Sequence, residues 1–343
     1  MKKVIKHMPK NLRKVAAVAL GVAAAVTAVA CGGTSSGSDG GSSDVSLVAY
    51  STPQTAYEQM IAAFNETSKG EGLTFEQSYG SSGEQSRAVE SGLPADYLAF
   101  SLEPDITRLV DAGLVPEDWN KDKYDGMVTE SVVTFIVRPG NPENIDSWDD
   151  LTQEGIEVIA PNPITSGGAR WNTMAAYGHV LEQGGTKEEG VQYLNDLFDN
   201  ITVQDDSARD SLATFTAGQG DVLIGYENEA LTAQEAGEEV EYVTPDETIL
   251  IENPVAVTSE SENPEAAEAF LDFARSTEGQ EIFQENGYRP VDEKVFDKGK
   301  FPTPKSLFTI EEFGGWEQVS TEFFDEENGI VTEIQRENGV PVE

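Results

Sequence analysis

TSGGARWN, residues 165–172, puts a serine and two glycines where a helix should begin, just after the strand-like VIAP of residues 158–161. A helix start leaves its first N–H groups without intrahelical acceptors, and the macrodipole adds about half a positive charge there. Such an entrance attracts anions without any lysine or arginine. Gly167 and Gly168 remove the Cβ that would hold an oxyanion off the backbone, and Ser166 offers a hydroxyl donor. Taken alone, the same residues do no more than cap a helix.

The surrounding chain repeats the arrangement. A β-rich run ends, small or hydroxylated residues follow, and a helix begins at Ser51-Thr52-Pro53, Gly80-Ser81-Ser82-Gly83 and Asp206-Ser207-Ala208. Pro53 fits a first helical position, where a missing amide proton costs nothing. Ser207 with Asp210 three residues later resembles a capping box. SLVAY precedes the amphipathic TAYEQMIAAF, and LTFEQS precedes GEQSRAVESG. DYLAFS, SVVTFIVRPG, IEVIAP, DVLIGY and NPVAVTSE are further short β-rich runs, and PEAAEAFLDFARS has a helical apolar face. Strands alternating with helices predict an α/β fold with parallel sheets. Ligands of open α/β sheets bind beyond the carboxyl ends of the strands, which is where all four loops lie. Arg170 and Arg209 stand in first turns, either as a positive wall or paired with local carboxylates; neither is assigned as a ligand.

Further out, residues 1–30 read as a secretory leader: a basic start, then the apolar VAAVALGVAAAVTAVA, about sixteen residues and short of the roughly twenty a span needs. Cys31 is the single cysteine, so no intrachain disulfide or two-cysteine redox site is possible. Ala28-Val29-Ala30 before it resembles the lipobox of bacterial lipoproteins, which implies lipidation of Cys31. Residues 31–45, with GGTSSGSDGGSSD, read as a flexible tether reaching about 20 Å. The leader holds six of the 22 basic residues and none of the 62 acidic ones, which leaves 16 against 62 beyond it. That balance argues against a nucleic-acid partner, since phosphate contacts need basic residues.

Catalytic chemistry finds few parts. His179 is the only histidine beyond the leader and falls mid-helix, too few for a histidine triad or a metal cluster. No nucleophile elbow or Walker sequence is present. Trp119, Trp148 and Trp316 read as packing residues. The chain is therefore expected to be no enzyme and to need neither metal nor cofactor; a carboxylate-based exported hydrolase is the remote alternative.

PNPITSGGARWNTMAAYG, DSARDSLATFTAGQGDVLIGYENEA, STEGQEIFQENGYRP, LFTIEEFGGW and QSYGSSGEQSRAVESG resemble the sulfate- and thiosulfate-binding proteins of ABC importers. The likeness runs in order from about residue 47 to 333. It implies a two-lobed class II periplasmic-binding-protein fold, each lobe a mixed sheet flanked by helices. Lobe one would be residues 46–131 plus 255–343, and lobe two residues 132–254. It also implies a monomer that captures sulfate or thiosulfate outside the cytoplasm and delivers it to an ABC permease, here from a lipid anchor. The amides of Ser51, Ser82, Gly167, Gly168 and Ala208 and the Ser166 hydroxyl would hold the anion. The family's last donor is a tryptophan indole, and this chain has Tyr226 there; Ser51 replaces its usual aspartate. Sulfate is all acceptor, whereas hydrogen phosphate carries a proton that a pocket of donors leaves unpaired, at a cost of roughly 1–3 kcal/mol. The alternative ligand is phosphate or another tetrahedral oxyanion, and phosphate would need an inward carboxylate from Asp205, Asp206 or Asp210.

Overall fold

The computed structural model describes residues 44–340. The leader, Cys31 and the tether up to residue 43 lie outside the described residues. The chain opens with β1 (Asp44–Tyr50), α1 (Gln54–Asn65), β2 (Thr74–Gly80), α2 (Ser82–Glu90), β3 (Tyr97–Ala99), α3 (Glu103–Asp111) and the long β4 (Met127–Val137). Then come β5 (Val158–Pro161), α4 (Gly167–Glu182), α5 (Lys187–Asn200), β6 (Ile201–Asp205), α6 (Ala208–Thr216), β7 (Val222–Tyr226), α7 (Glu227–Glu235) and β8 (Glu241–Val243). A second long strand, β9 (Glu247–Val257), leads into α8 (Pro264–Ala274), α9 (Thr277–Glu285), β10 (Arg289–Pro290), β11 (Ser306–Phe308), α10 (Gly315–Phe323) and α11 (Ile330–Glu337).

The strands form a mixed sheet ordered β2-β1-β3-β9-β4-β7-β5-β6, with β10 and β8 on β4 and β11 on β9. The flanks are parallel, as the alternation of strand and helix predicts: β1 with β2 and β3, and β5 with β6 and β7. The middle is antiparallel. β4 and β9 pair with each other from Met127↔Pro254 to Val132↔Leu250, then part. β4 continues along β7, and the far end of β9 runs along β3. Two eleven-residue strands thus carry the chain from one flank to the other.

Alternating side chains on the strands fill both faces. Leu47, Ala49, Tyr97, Phe135 and Ile224 join the main core with Trp148, Trp171 and Phe270, while Val48, Leu98, Ile136 and Leu223 enter two smaller clusters on the opposite faces. Burial on both faces explains why the strands read as continuous apolar runs. Of the tryptophans read as packing residues, Trp148 is wholly buried, Trp316 meets Trp171 edge-on at 4.6 Å, and Trp119 packs against a smaller cluster.

α4 is the central helix: every residue from Gly167 to His179 except Arg170 is buried. A helix apolar all round belongs inside a protein. Polar groups tie it to its neighbours, with Trp171 Nε1 donating to Ser101 O at 2.7 Å and Asn172 Nδ2 to Ile224 O at 2.9 Å. The octapeptide that opens the helix is thereby fixed against β7 and the loop after β3.

Candidate functional site

The four helix entrances expected from the sequence are present, and they face one place. α2 starts behind Ser81, α4 behind Ser166 and α6 behind Ser207, each in extended backbone as a cap requires. Ser166 Oγ accepts from Ala169 N at 3.4 Å, and Ser207 Oγ from Asp210 N at 3.2 Å. Pro53 caps α1 instead of occupying its first turn. α7 adds a fifth entrance with Tyr226 as its cap, whose amide donates to Glu229 Oε2 at 2.9 Å. Burial pushes the Glu229 carboxyl up to about 7.

Together the entrances enclose a tight cavity of about 10 Å³, roughly the room a single water needs. Six of the seven residues singled out as ligand candidates line it: Ser51, Ser82, Ser166, Gly168, Ala208 and Tyr226. Tyr50, Thr52, Ser81 and Ser101 complete the lining, and no charged side chain is among these residues. Ser82, Gly167, Gly168 and Ala208 all occupy first turns, where an N–H has no acceptor within its own helix. The site is built of peptide dipoles and neutral hydroxyls.

The seventh candidate, Gly167, has another reason to be glycine. A Cβ there would lie 1.9 Å from Leu102 Cδ2 and 2.2 Å from Ser101 Oγ, so the loop after β3 fills its space. At Gly168 a Cβ would sit 3.5 Å from Ser166 Oγ and from the Tyr226 hydroxyl, ordinary contact at the cavity wall. One glycine serves packing and the other leaves room.

The hydroxyls divide into engaged and free. Ser82 Oγ donates to Asp105 Oδ2 at 2.5 Å and accepts from Ser101 N at 3.0 Å. Ser81 Oγ donates to Glu84 Oε2 at 2.6 Å, and Thr52 Oγ1 lies 3.0 Å from the Tyr288 hydroxyl. By contrast, the buried hydroxyls of Tyr50, Ser101 and Tyr226 make no formed hydrogen bond, although Ser101 and Tyr226 neighbour each other and Tyr50 neighbours Tyr288. Burial holds the Tyr226 phenol far above its ordinary range, so it stays neutral and keeps its proton to donate.

Charge stands behind the wall. The Asp105 carboxyl is raised by burial, opposed by Arg170 and the Ser82 hydroxyl. Arg170 donates from Nε to Pro163 O at 3.0 Å and lies over the Phe324 ring. Arg209 donates to Gln54 Oε1 at 2.6 Å and lines a separate open depression with Glu229 and Asn228. The three aspartates that decide whether a protonated anion finds an acceptor do not line the cavity. Asp206 and Asp210 are exposed, Asp210 Oδ2 accepts from Ser207 Oγ, and Asp205 Oδ1 accepts from Thr214 Oγ1. Among the described residues no group of three or more His, Cys, Asp or Glu is placed to hold a metal ion.

Sequence reasoning missed Tyr50 and Ser101. Tyr50 reads as the last apolar residue of its strand. Ser101 stands before LEPD, whose proline and acids in the first turn of α3 are a helix-start signal of the same kind as the other four.

Comparison with known proteins gives a consistent picture. Residues 45–289 match the family described as bacterial extracellular solute-binding protein. The chain is similar to a sulfate-binding protein of Synechococcus elongatus, 42% identical with 89% of this chain and 91% of that one covered. It is 37% identical to a thiosulfate-binding protein of Pseudomonas aeruginosa, covering 85% and 92%. Among solved structures, the sulfate-binding protein SubI from Mycobacterium tuberculosis superposes with a TM-score of 0.80 at 44% identity, over 82% of this chain and 99% of that chain.

Proposed function

Because this chain belongs to the bacterial extracellular solute-binding protein family, we propose that it captures sulfate or thiosulfate outside the cytoplasm and delivers the anion to the permease of an ABC importer. The amides of Ser51, Ser82, Gly167, Gly168 and Ala208 and the hydroxyls of Ser166 and Tyr226 are the proposed ligands. What carries this reading is the convergence of five helix entrances on one small cavity lined by no charged side chain.

Hydrogen bonds to charged groups contribute roughly 1.5–3 kcal/mol each. Seven neutral donors therefore offset the loss of a dianion's hydration without a salt bridge. The cavity's wall of donors suits an anion that is all acceptor. Hydrogen phosphate would bring a proton, and the carboxylates nearest the Ala208 loop lie outside the lining, which favours sulfate. The relatives' names point to the same ligand class.

The remaining parts of the reading concern the molecule around the site. Residues 46–131 with 255–343 and residues 132–254 are proposed as two lobes hinged where β4 and β9 cross between the flanks. Removal of the leader and lipidation of Cys31 would leave a monomer tethered to the membrane surface. Calorimetry on exhaustively dialysed protein tests the assignment: sulfate or thiosulfate should bind at least roughly tenfold more tightly than phosphate, a difference of about 1.4 kcal/mol. Tighter binding of phosphate would overturn it.

A further inference from the structure

We infer that Ser101 is a further anion ligand, donating its hydroxyl proton to the bound oxyanion. The inference rests on the proposed oxyanion site and adds a residue that the resemblance did not supply. Ser101 is 1% exposed, lines the cavity, and its Oγ has no hydrogen-bond partner. An unpaired buried hydroxyl is costly to keep. A guest in the cavity would satisfy it.

The rest of Ser101 is fully engaged, which fixes where the hydroxyl sits. Its amide donates to Ser82 Oγ at 3.0 Å. Its carbonyl accepts from Trp171 Nε1 at 2.7 Å and from Asn253 Nδ2 at 3.1 Å. Three separate elements therefore clamp the backbone. The Oγ lies against the start of α4, so close that a Cβ on Gly167 would collide with it. That position sets the hydroxyl beside Gly167 in the first turn of α4.

Ser82 shows the contrast. Its hydroxyl proton is committed to Asp105, so only its amide remains for a ligand. Ser101 has no carboxylate partner, and its neighbouring hydroxyl, Tyr226, is equally uncommitted. Of the two serines joined by the Ser101 N–Ser82 Oγ bond, Ser101 is the one with a side-chain proton to give.

The test uses the whole chain, dialysed free of anions, with sodium sulfate as the titrant. Ser101→Ala keeps the backbone bonds to Ser82, Trp171 and Asn253 and removes only the hydroxyl. Sulfate affinity should fall roughly ten- to a hundredfold, while the melting temperature without sulfate stays level or rises. An affinity within about twofold of the unaltered protein, with a normal melt, would overturn the inference and leave the oxyanion site standing. Should the alanine variant melt lower, Ser101→Cys decides: it keeps the shape with a weak donor, so affinity must still drop, and equal affinity overturns the inference. If the unaltered protein takes up no sulfate, the oxyanion reading itself fails and this inference with it.

Discussion

Tyr226 and Glu227 are chain neighbours at the mouth of α7, both essentially buried, and they treat polarity in opposite ways. The Tyr226 hydroxyl lines the cavity with no partner. The Glu227 carboxylate is gripped by Arg289, Nε to Oε2 at 2.7 Å and Nη2 to Oε1 at 3.1 Å, and that guanidinium also donates to Pro302 O at 2.8 Å. Where the fold needs a permanent bond, it closes charge on charge. Where it must hold and release a guest, it leaves neutral donors open. A fixed cation in the cavity would find carboxylates within this acidic chain; a peptide dipole has no such alternative partner.

The sharpest way to break this contrast is to put charge into the neutral region. Gly168→Asp has steric room, since a Cβ there meets only ordinary contacts at 3.5 Å. Its carboxylate should cut sulfate affinity by more than roughly a hundredfold, because like charges brought together cost several kcal/mol; titration calorimetry reads this. Removing charge from the paired region comes next. Glu227→Ala strands Arg289 and should cost about 3–5 kcal/mol of folding free energy, seen in urea unfolding without ligand. The smallest effect belongs to the open hydroxyl. Tyr226→Phe should leave ligand-free stability unchanged and weaken sulfate binding by about 1.5–3 kcal/mol, while Tyr226→Trp, which restores an N–H, loses less. If the phenylalanine variant unfolds early instead, the contrast between the two neighbours is wrong.

Much of the site was legible because its parts are local. A helix entrance is written in three or four residues, and Ser166, Ser81 and Ser207 cap their helices as their spacing implies. Convergence could be expected from the rule that loops gather at strand ends, and six of seven candidates line one cavity. What escaped depends on partners far along the chain. The antiparallel pairing of β4 with β9 joins residues more than a hundred positions apart, and the alternation of strands with helices points to parallel neighbours only. Gly167 looked like an opening for the ligand, but Leu102 and Ser101 from a distant loop occupy that space. Ser101 itself carried a readable signal in the helix start that follows it.

The central claim is that neutral dipoles alone hold the anion, and a crystal structure with sulfate bound tests it most directly. The oxygens should lie roughly 2.7–3.2 Å from the amides of Ser51, Ser82, Gly167, Gly168 and Ala208 and from the hydroxyls of Ser166 and Tyr226, with no charged side chain in contact. Sulfate seated instead in the depression beside Arg209, or in a salt bridge to Arg170, would contradict the account.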